Sequence, residues 1–162
     1  LALILAPPEK AAALPLGHAF GRLGCFLNGC CYGRLCRGAL GIRYPAHSMP
    51  WHAQMRQGVI DATATHSEPV VPTQLLEATL NLLLFALLYR LATRHPRRGM
   101  VTAGYLMLYP VLRFSLEILR GDARMTIGAF SVGQLISLGL LALGLVLWAY
   151  VRRQPTVTNA HD

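Results

Sequence analysis

The sequence predicts an all-α, polytopic helical membrane protein with an irregular extracytoplasmic cap. Three observations carry this. Apolar residues make up 54% of the 162 residues and charged ones only 14%. Mean hydropathy is positive at +0.42. Several runs approach or exceed the length that spans a hydrocarbon core, about 20 residues at roughly 1.5 Å each.

The elements follow in order. Leu1 to Ala6 is an apolar run broken by Pro7 and Pro8, and it reads as the tail of a longer run, so the chain is expected to be the C-terminal part of a larger protein. No basic segment precedes it and no A-x-A site follows, which argues against a signal peptide. Residues 11–27 are apolar apart from His18 and Arg22 and contain Pro15 and several glycines, so a kinked span is expected. Residues 28–72 turn polar, rich in proline, histidine and glycine, and form the cap, with a short helix around 51–57. Thr73 is placed as the N-cap of a leucine-rich span over 74–91. Further spans are expected over 102–119 and 128–150, and all of these elements are read as one membrane domain.

Charge sets the orientation. Arg90, Arg94, Arg97 and Arg98 in one short loop and Arg152 and Arg153 in the tail fall on one side, which the positive-inside rule makes cytoplasmic, with the C-terminus. The cap and the 120–127 loop then lie outside, although the cap carries four arginines of its own. The net charge of +8 suits phospholipid headgroups or nucleic acid, and its placement among spans selects lipid over nucleic acid.

Ionisable residues inside spans point to function. An arginine at bilayer depth costs about 2.5 to 3.5 kcal/mol on the insertion scale, so Arg113 is expected to face protein or water. Glu117 and Arg120 share its helical face with Tyr109. Either Arg113 and Glu117 merely neutralise each other, or Arg113 offers a planar fork to a phosphate while Glu117 orients it; the second reading is favoured. Glu77, one turn after Gln74, either complements the helix dipole or joins this site. Gln134 and Ser137 are read the same two ways, as site residues or as helix–helix glue.

The densest stretch is His18 to Gly33, HAFGRLGCFLNGCCYG. Arg22 follows His18 by one turn and precedes Gly24, Gly29 and Gly33, whose amides are expected to approach an anion closely; the alternative is an arginine that snorkels to headgroups. Cys25, Cys30, Cys31 and Cys36 lack C-x-x-C spacing. Disulfides and apolar filling are both open for them, and a zinc site comes last.

GRLGCFLNGCCYG, then PTQLLE heading a span, RFSLEILRGD, and GQLIS opening a last span with a basic tail resemble, in that order, the prolipoprotein diacylglyceryl transferase family. The resemblance covers about residues 17–153. It implies a bacterial inner-membrane, multi-pass enzyme that moves the diacylglyceryl group of phosphatidylglycerol onto the lipobox cysteine thiol of preprolipoproteins and releases glycerol phosphate. Phosphatidylglycerol, the signal peptides of preprolipoproteins and the membrane are its implied partners, and it implies no metal or organic cofactor. By motif, Arg22, Asn28 and Gly33 match the family's GRxxNFxNxExxG, Gln74 and Glu77 its HPxQLYE, and Arg113, Glu117 and Arg120 its RFxxE stretch and the following arginine. The implied catalytic set is Arg22, Arg113 and Glu117. The implied substrate-binding set is Arg22, Asn28, Gly33, Gln74, Glu77, Tyr109 and Arg120.

The departures are Cys25 for the first asparagine, Cys30 for the glutamate, Val71 for the histidine and Leu76 for the tyrosine. They match a recurring cysteine-rich form, GCFLxGCCYG. The family's catalytic histidine is expected upstream of Leu1, and His18 is as easily a satisfied helix residue as a base. Two other classes stay open: a membrane protein that binds anionic lipid without turnover, and a membrane-anchored thiol or metal module.

Overall fold

The computed structural model describes residues 8–94, 99–121, 126–128 and 130–154. The Leu1 to Ala6 run and the arginines at 97 and 98 lie outside these residues. The fold is mostly helical. Helix α1 (Pro8–Ala12) and helix α2 (Leu14–Leu27) are separated at Ala13, with a proline in the first turn of α2. Pro15 lacks an N–H, so it tolerates a helix start and not a helix interior, and the kink expected in 11–27 is this break. Helix α3 (Met49–Arg56) is the short helix of the cap.

Helix α4 (Thr73–Arg94), helix α5 (Met100–Glu117) and helix α6 (Val132–Arg153) follow. Helices α4 and α6 are long and apolar enough to cross a membrane. Helix α5 carries Pro110 inside it together with Arg113 and Glu117. The last helix begins later than the expected residue 128, because β1 (Thr126–Ile127) and β2 (Phe130–Ser131) form an antiparallel turn first. The reason is local: Ser131 caps α6 by accepting from the Gln134 amide while the Gln134 side chain accepts from the Ser131 amide, a capping box that fixes the start.

Helix α2 packs on α4, α4 on α5, and α5 on α6. One core cluster joins Ala11, Leu84, Leu88, Val101 and Tyr105; another joins Ala103, Leu147 and Val151. Small residues set the spacing. A Cβ on Gly144 would lie 2.8 Å from the Leu106 backbone, so α5 and α6 approach as closely as a glycine allows. The outward side of α6 leaves Ile136, Leu143, Val146 and Tyr150 exposed, an apolar surface suited to lipid.

The cap holds together by backbone and side-chain pairing around a few buried residues, Tyr44, Trp51 and Val70. Val70 bridges both Leu35 and Ile42. Gln54 donates to the Glu68 carbonyl at 3.1 Å and accepts from the Glu68 amide at 2.7 Å, and the Trp51 indole donates to the Ala64 carbonyl at 2.7 Å. These bonds satisfy backbone groups that no sheet covers.

Candidate functional site

Helix α4 explains how a leucine-rich helix becomes polar on one side. Gln74, Glu77 and Asn81 recur at helical spacing, and all three are buried. Glu77 accepts from Arg22 of α2 at 2.9 Å, with side chains 5% and 19% exposed. Arg22 also reaches the Tyr109 phenol of α5. Arg113, one turn further along α5, lies within the electrostatic reach of Glu77, Arg22 and Arg120. Three helices therefore bring together Arg22, Glu77, Tyr109 and Arg113, with Arg120 at the edge.

Arg113 Nη1 faces Glu117 Oε2 at 3.0 Å, a charge contact without hydrogen-bond alignment. Glu117 Oε1 accepts from Ser131 Oγ at 2.9 Å, and the carboxylate lies against Gly133 in the first turn of α6. The positive end of the α6 dipole favours a carboxylate there. Glu117 is thus a bridge between Arg113 and the start of α6. Gln134 completes the α6 cap, and Ser137 donates to the Gly133 carbonyl of its own helix at 2.8 Å, so the bonds seen for both lie within α6 and do not glue it to a neighbour.

The signature loop is fastened to α4. The Thr73 hydroxyl donates to the Cys31 carbonyl at 2.7 Å, and the Gln74 amide donates to the Cys30 carbonyl at 2.6 Å and to the Tyr44 hydroxyl at 3.2 Å. Thr73 therefore does not act as the expected N-cap; it is the first helical residue and spends its hydroxyl on the loop. Burial pushes the Tyr44 phenol above its ordinary pKa.

Gly33 corrects a second expectation. Its amide donates to the Val71 carbonyl at 2.8 Å, so it is not turned to an anion. A Cβ there would lie 2.7 Å from Val71 Cβ and 2.9 Å from the Leu119 carbonyl, so Gly33 permits a close backbone crossing, and it bridges Arg120. The Gly29 amide likewise donates to the Phe26 carbonyl at 3.1 Å. Asn28 ends α2 exposed, close to the Cys30 thiol.

All four cysteines are free thiols. The sulfurs of Cys25, Cys30 and Cys31 lie within 4.8 Å of one another. Burial pushes the Cys30 thiol up, but hydrogen bonds from Asn28, Cys25, Cys31 and its own backbone outweigh it and hold the thiol below its ordinary value.

Three residues of the site escaped the sequence reading. Asn81, buried in α4, donates to the Glu77 carbonyl at 2.8 Å; its signal was an amide one turn beyond Glu77 in a leucine run. Tyr105 bonds His18 Nδ1 at 3.0 Å and stacks on Tyr109 with centroids 5.2 Å apart; its signal was the four-residue spacing from Tyr109. His18 is thereby a satisfied helix residue, its ring 4.7 Å from that of Tyr109. Ser131 was legible as the first residue of an S-x-x-Q capping box.

A mostly helical membrane protein that buries paired arginines and carboxylates between its helices is the class this fold and site define. The family model described as prolipoprotein diacylglyceryl transferase matches residues 10–150, and the chain belongs to that family. It is 32% identical over 135 residues to a protein of Clostridium perfringens (strain 13 / Type A) named phosphatidylglycerol–prolipoprotein diacylglyceryl transferase 2, covering 83% of this chain and 47% of that relative. It is 35% identical over 159 residues to phosphatidylglycerol–prolipoprotein diacylglyceryl transferase of Xanthomonas campestris pv. campestris (strain B100), covering 91% of this chain and 52% of that relative. The chain spans about half the length of the curated relatives it matches.

Proposed function

We propose that this chain carries the phosphate-binding half of a phosphatidylglycerol–prolipoprotein diacylglyceryl transferase of the bacterial inner membrane. The observation that carries the reading is the Arg22–Glu77 ion pair, which sets a guanidinium between helices within the field of a second one, Arg113. Two arginines on different helices suit a phosphodiester, whose charge shifts onto one oxygen as its bond to carbon breaks.

In the transfer, the thiolate of the lipobox cysteine forms a bond to the glyceryl carbon that bears the phosphate. The carbon–oxygen bond breaks, and its electron pair leaves with glycerol phosphate. Arg22 and Arg113 stabilise that leaving charge. Glu77 and Glu117 hold the arginines in orientation, and Arg120 adds positive potential at the edge. Tyr109 fixes Arg22 from the α5 side. Among the described residues, Gln74 Oε1 and Asn81 Oδ1 are buried acceptors without a hydrogen-bonding partner, a feature that suits the donating hydroxyls of a glycerol headgroup. Asn28 would contact the headgroup from the loop, and Gly33 would serve by shaping that loop.

The helices would cross the membrane several times, with the Arg152 and Arg153 end in the cytoplasm and the cap outside. The test uses the intact protein in detergent with phosphatidylglycerol and a synthetic lipobox peptide, followed by mass spectrometry. A diacylglyceryl mass gain on the peptide, lost in Arg22→Ala and Arg113→Ala, is the expected result. Folded protein that binds phosphatidylglycerol and gives no gain would overturn the transferase reading in favour of a lipid-binding relative.

A further inference from the structure

We propose that Cys25, Cys30 and Cys31 form a binding site for one soft, thiophilic cation of the Cu(I) or Zn(II) kind. The sequence places zinc last among the fates of these cysteines, because their spacing is irregular; the fold supplies what the spacing lacks. Cys25 lies near the end of α2, and the chain then turns back through Gly29 and Cys31, whose φ values are 70° and 61°. In extended backbone, consecutive side chains point to opposite faces, so a left-handed residue at Cys31 is what allows adjacent thiols to share one. A non-glycine residue held in that region marks a place where the surrounding structure dictates the backbone.

The surroundings are rigid in the way a ligand site needs. Thr73 and Gln74 hold the carbonyls of Cys31 and Cys30, and buried Gly29 lies against the Tyr44 ring. These bonds fix the backbone behind the ligands without engaging the sulfurs. The three sulfurs already lie within 4.8 Å of one another. Metal–sulfur bonds of about 2.3 Å need sulfurs roughly 4 Å apart, so closure asks for side-chain adjustment and no backbone movement. The weak Cys30 Sγ contact to the Cys25 carbonyl at 3.6 Å would be given up. Thiolate ligands select Cu(I) and Zn(II) over oxygen-loving cations such as Mg²⁺. Cys36 stands outside the group and serves as the internal control.

Binding would replace three thiol protons with one cation. The experiment takes the intact protein in detergent, reduced and kept anaerobic, and titrates it separately with Zn(II) and with Cu(I) against a chelator of known affinity. Thiol alkylation read by peptide mass spectrometry is the second measurement and needs no variant. One equivalent of either cation should bind and protect Cys25, Cys30 and Cys31 while Cys36 stays reactive. Cys25→Ser, Cys30→Ser and Cys31→Ser should each weaken binding by more than about 100-fold, since loss of an outer-sphere partner alone weakens metal sites about 10- to 100-fold. Cys36→Ser should bind as wild type. Binding that survives all three substitutions, or protection that includes Cys36, overturns the proposal. So does reduced protein that binds neither cation, or a disulfide among the three that forms in its place. Metal content and alkylation are read independently of transfer, so failure here leaves the transferase reading standing, and the converse holds.

Discussion

Arg22 and Glu77 meet at 2.9 Å between α2 and α4, with the carboxylate 5% exposed. A buried carboxylate is strongly disfavoured unless paired, so Glu77 fixes where the guanidinium rests, and Arg22 in turn fixes how α2 lies on α4. The same bond sets Arg22 beside Tyr109 and into the field of Arg113. Packing and chemistry thus depend on one contact.

Glu77→Gln removes the charge partner and leaves Arg22 to rearrange. Breaking a buried pair costs about 3 to 5 kcal/mol, and partial exposure of Arg22 lowers this to about 2 to 3 kcal/mol. We expect a lower thermal midpoint in detergent and transfer reduced by about 100-fold. Arg22→Lys keeps the charge and loses the planar fork, so it should keep stability better than activity. Thermal unfolding and single-turnover transfer, measured together, check both. Equal stability and activity in wild type and Glu77→Gln would show that Glu77 positions nothing.

Ser131 reaches Glu117 at 2.9 Å and caps α6 at once. Ser131→Ala should cost about 1 kcal/mol as a lost cap. It should also loosen Glu117 and lower transfer beyond what that stability loss explains. Ser131→Asp separates the two effects, because aspartate caps a helix well and repels the Glu117 carboxylate. Expected is a retained cap, with like-charge repulsion bringing stability down to about that of the alanine variant and activity below it. Activity of Ser131→Asp that matches wild type would mean that Glu117 does not act through Ser131.

Much of this site was legible in the sequence, and the limits have physical causes. Arg22, Glu77, Arg113 and Glu117 stood out because a charge within an apolar span needs a partner. Which partner each takes depends on helix rotation and crossing, which no single span records; hence Arg22 pairing with Glu77 across two helices was not foreseen. The later start of α6 was missed because hydropathy stays high from Gly128 onward, while the capping box at Ser131 and Gln134 decides the boundary. Gly33 was misread because a backbone crossing by Val71 and Leu119, distant in sequence, takes the amide. The convergence of Cys25, Cys30 and Cys31 was not legible for the same reason, since it depends on the left-handed turn at Cys31.

Asn81 offers a test of the unpartnered acceptors. Among the described residues its Oδ1 is buried without a hydrogen-bonding partner, and its Nδ2 donates to the Glu77 carbonyl of its own helix. Replacing such a group with an apolar one of similar size is nearly neutral or stabilising for the fold. Asn81→Leu should therefore hold or raise the thermal midpoint. If the acceptor reads a headgroup hydroxyl, the apparent affinity for phosphatidylglycerol should fall about 5- to 10-fold, the equivalent of about one hydrogen bond. Titration with phosphatidylglycerol at saturating peptide provides the measurement. An unchanged affinity with raised stability would assign Asn81 to packing alone.

Two glycines of one signature should respond in opposite directions. At Gly33 a Cβ would lie 2.7 Å from Val71 Cβ, 2.8 Å from the Val71 carbonyl and 2.9 Å from the Leu119 carbonyl, and backbone atoms cannot yield as a flexible side chain does. Gly33→Ala is expected to cost about 2 to 3 kcal/mol, to weaken the crossing of the cap over the end of α5, and to speed proteolysis of the cap. At Gly24, inside α2, a Cβ would meet nothing within 4 Å. Glycine within a helix is worse than alanine by about 0.5 to 1 kcal/mol, so Gly24→Ala should raise the thermal midpoint. Its activity then carries the information. Since α2 itself uses the Gly24 amide, an anion that approached there would contact the bare Cα surface, which a methyl group covers. Transfer preserved in a stabilised Gly24→Ala means that the phosphate stays with the arginines. Transfer lost at raised stability would place the headgroup along the α2 backbone and shift the site toward the signature loop.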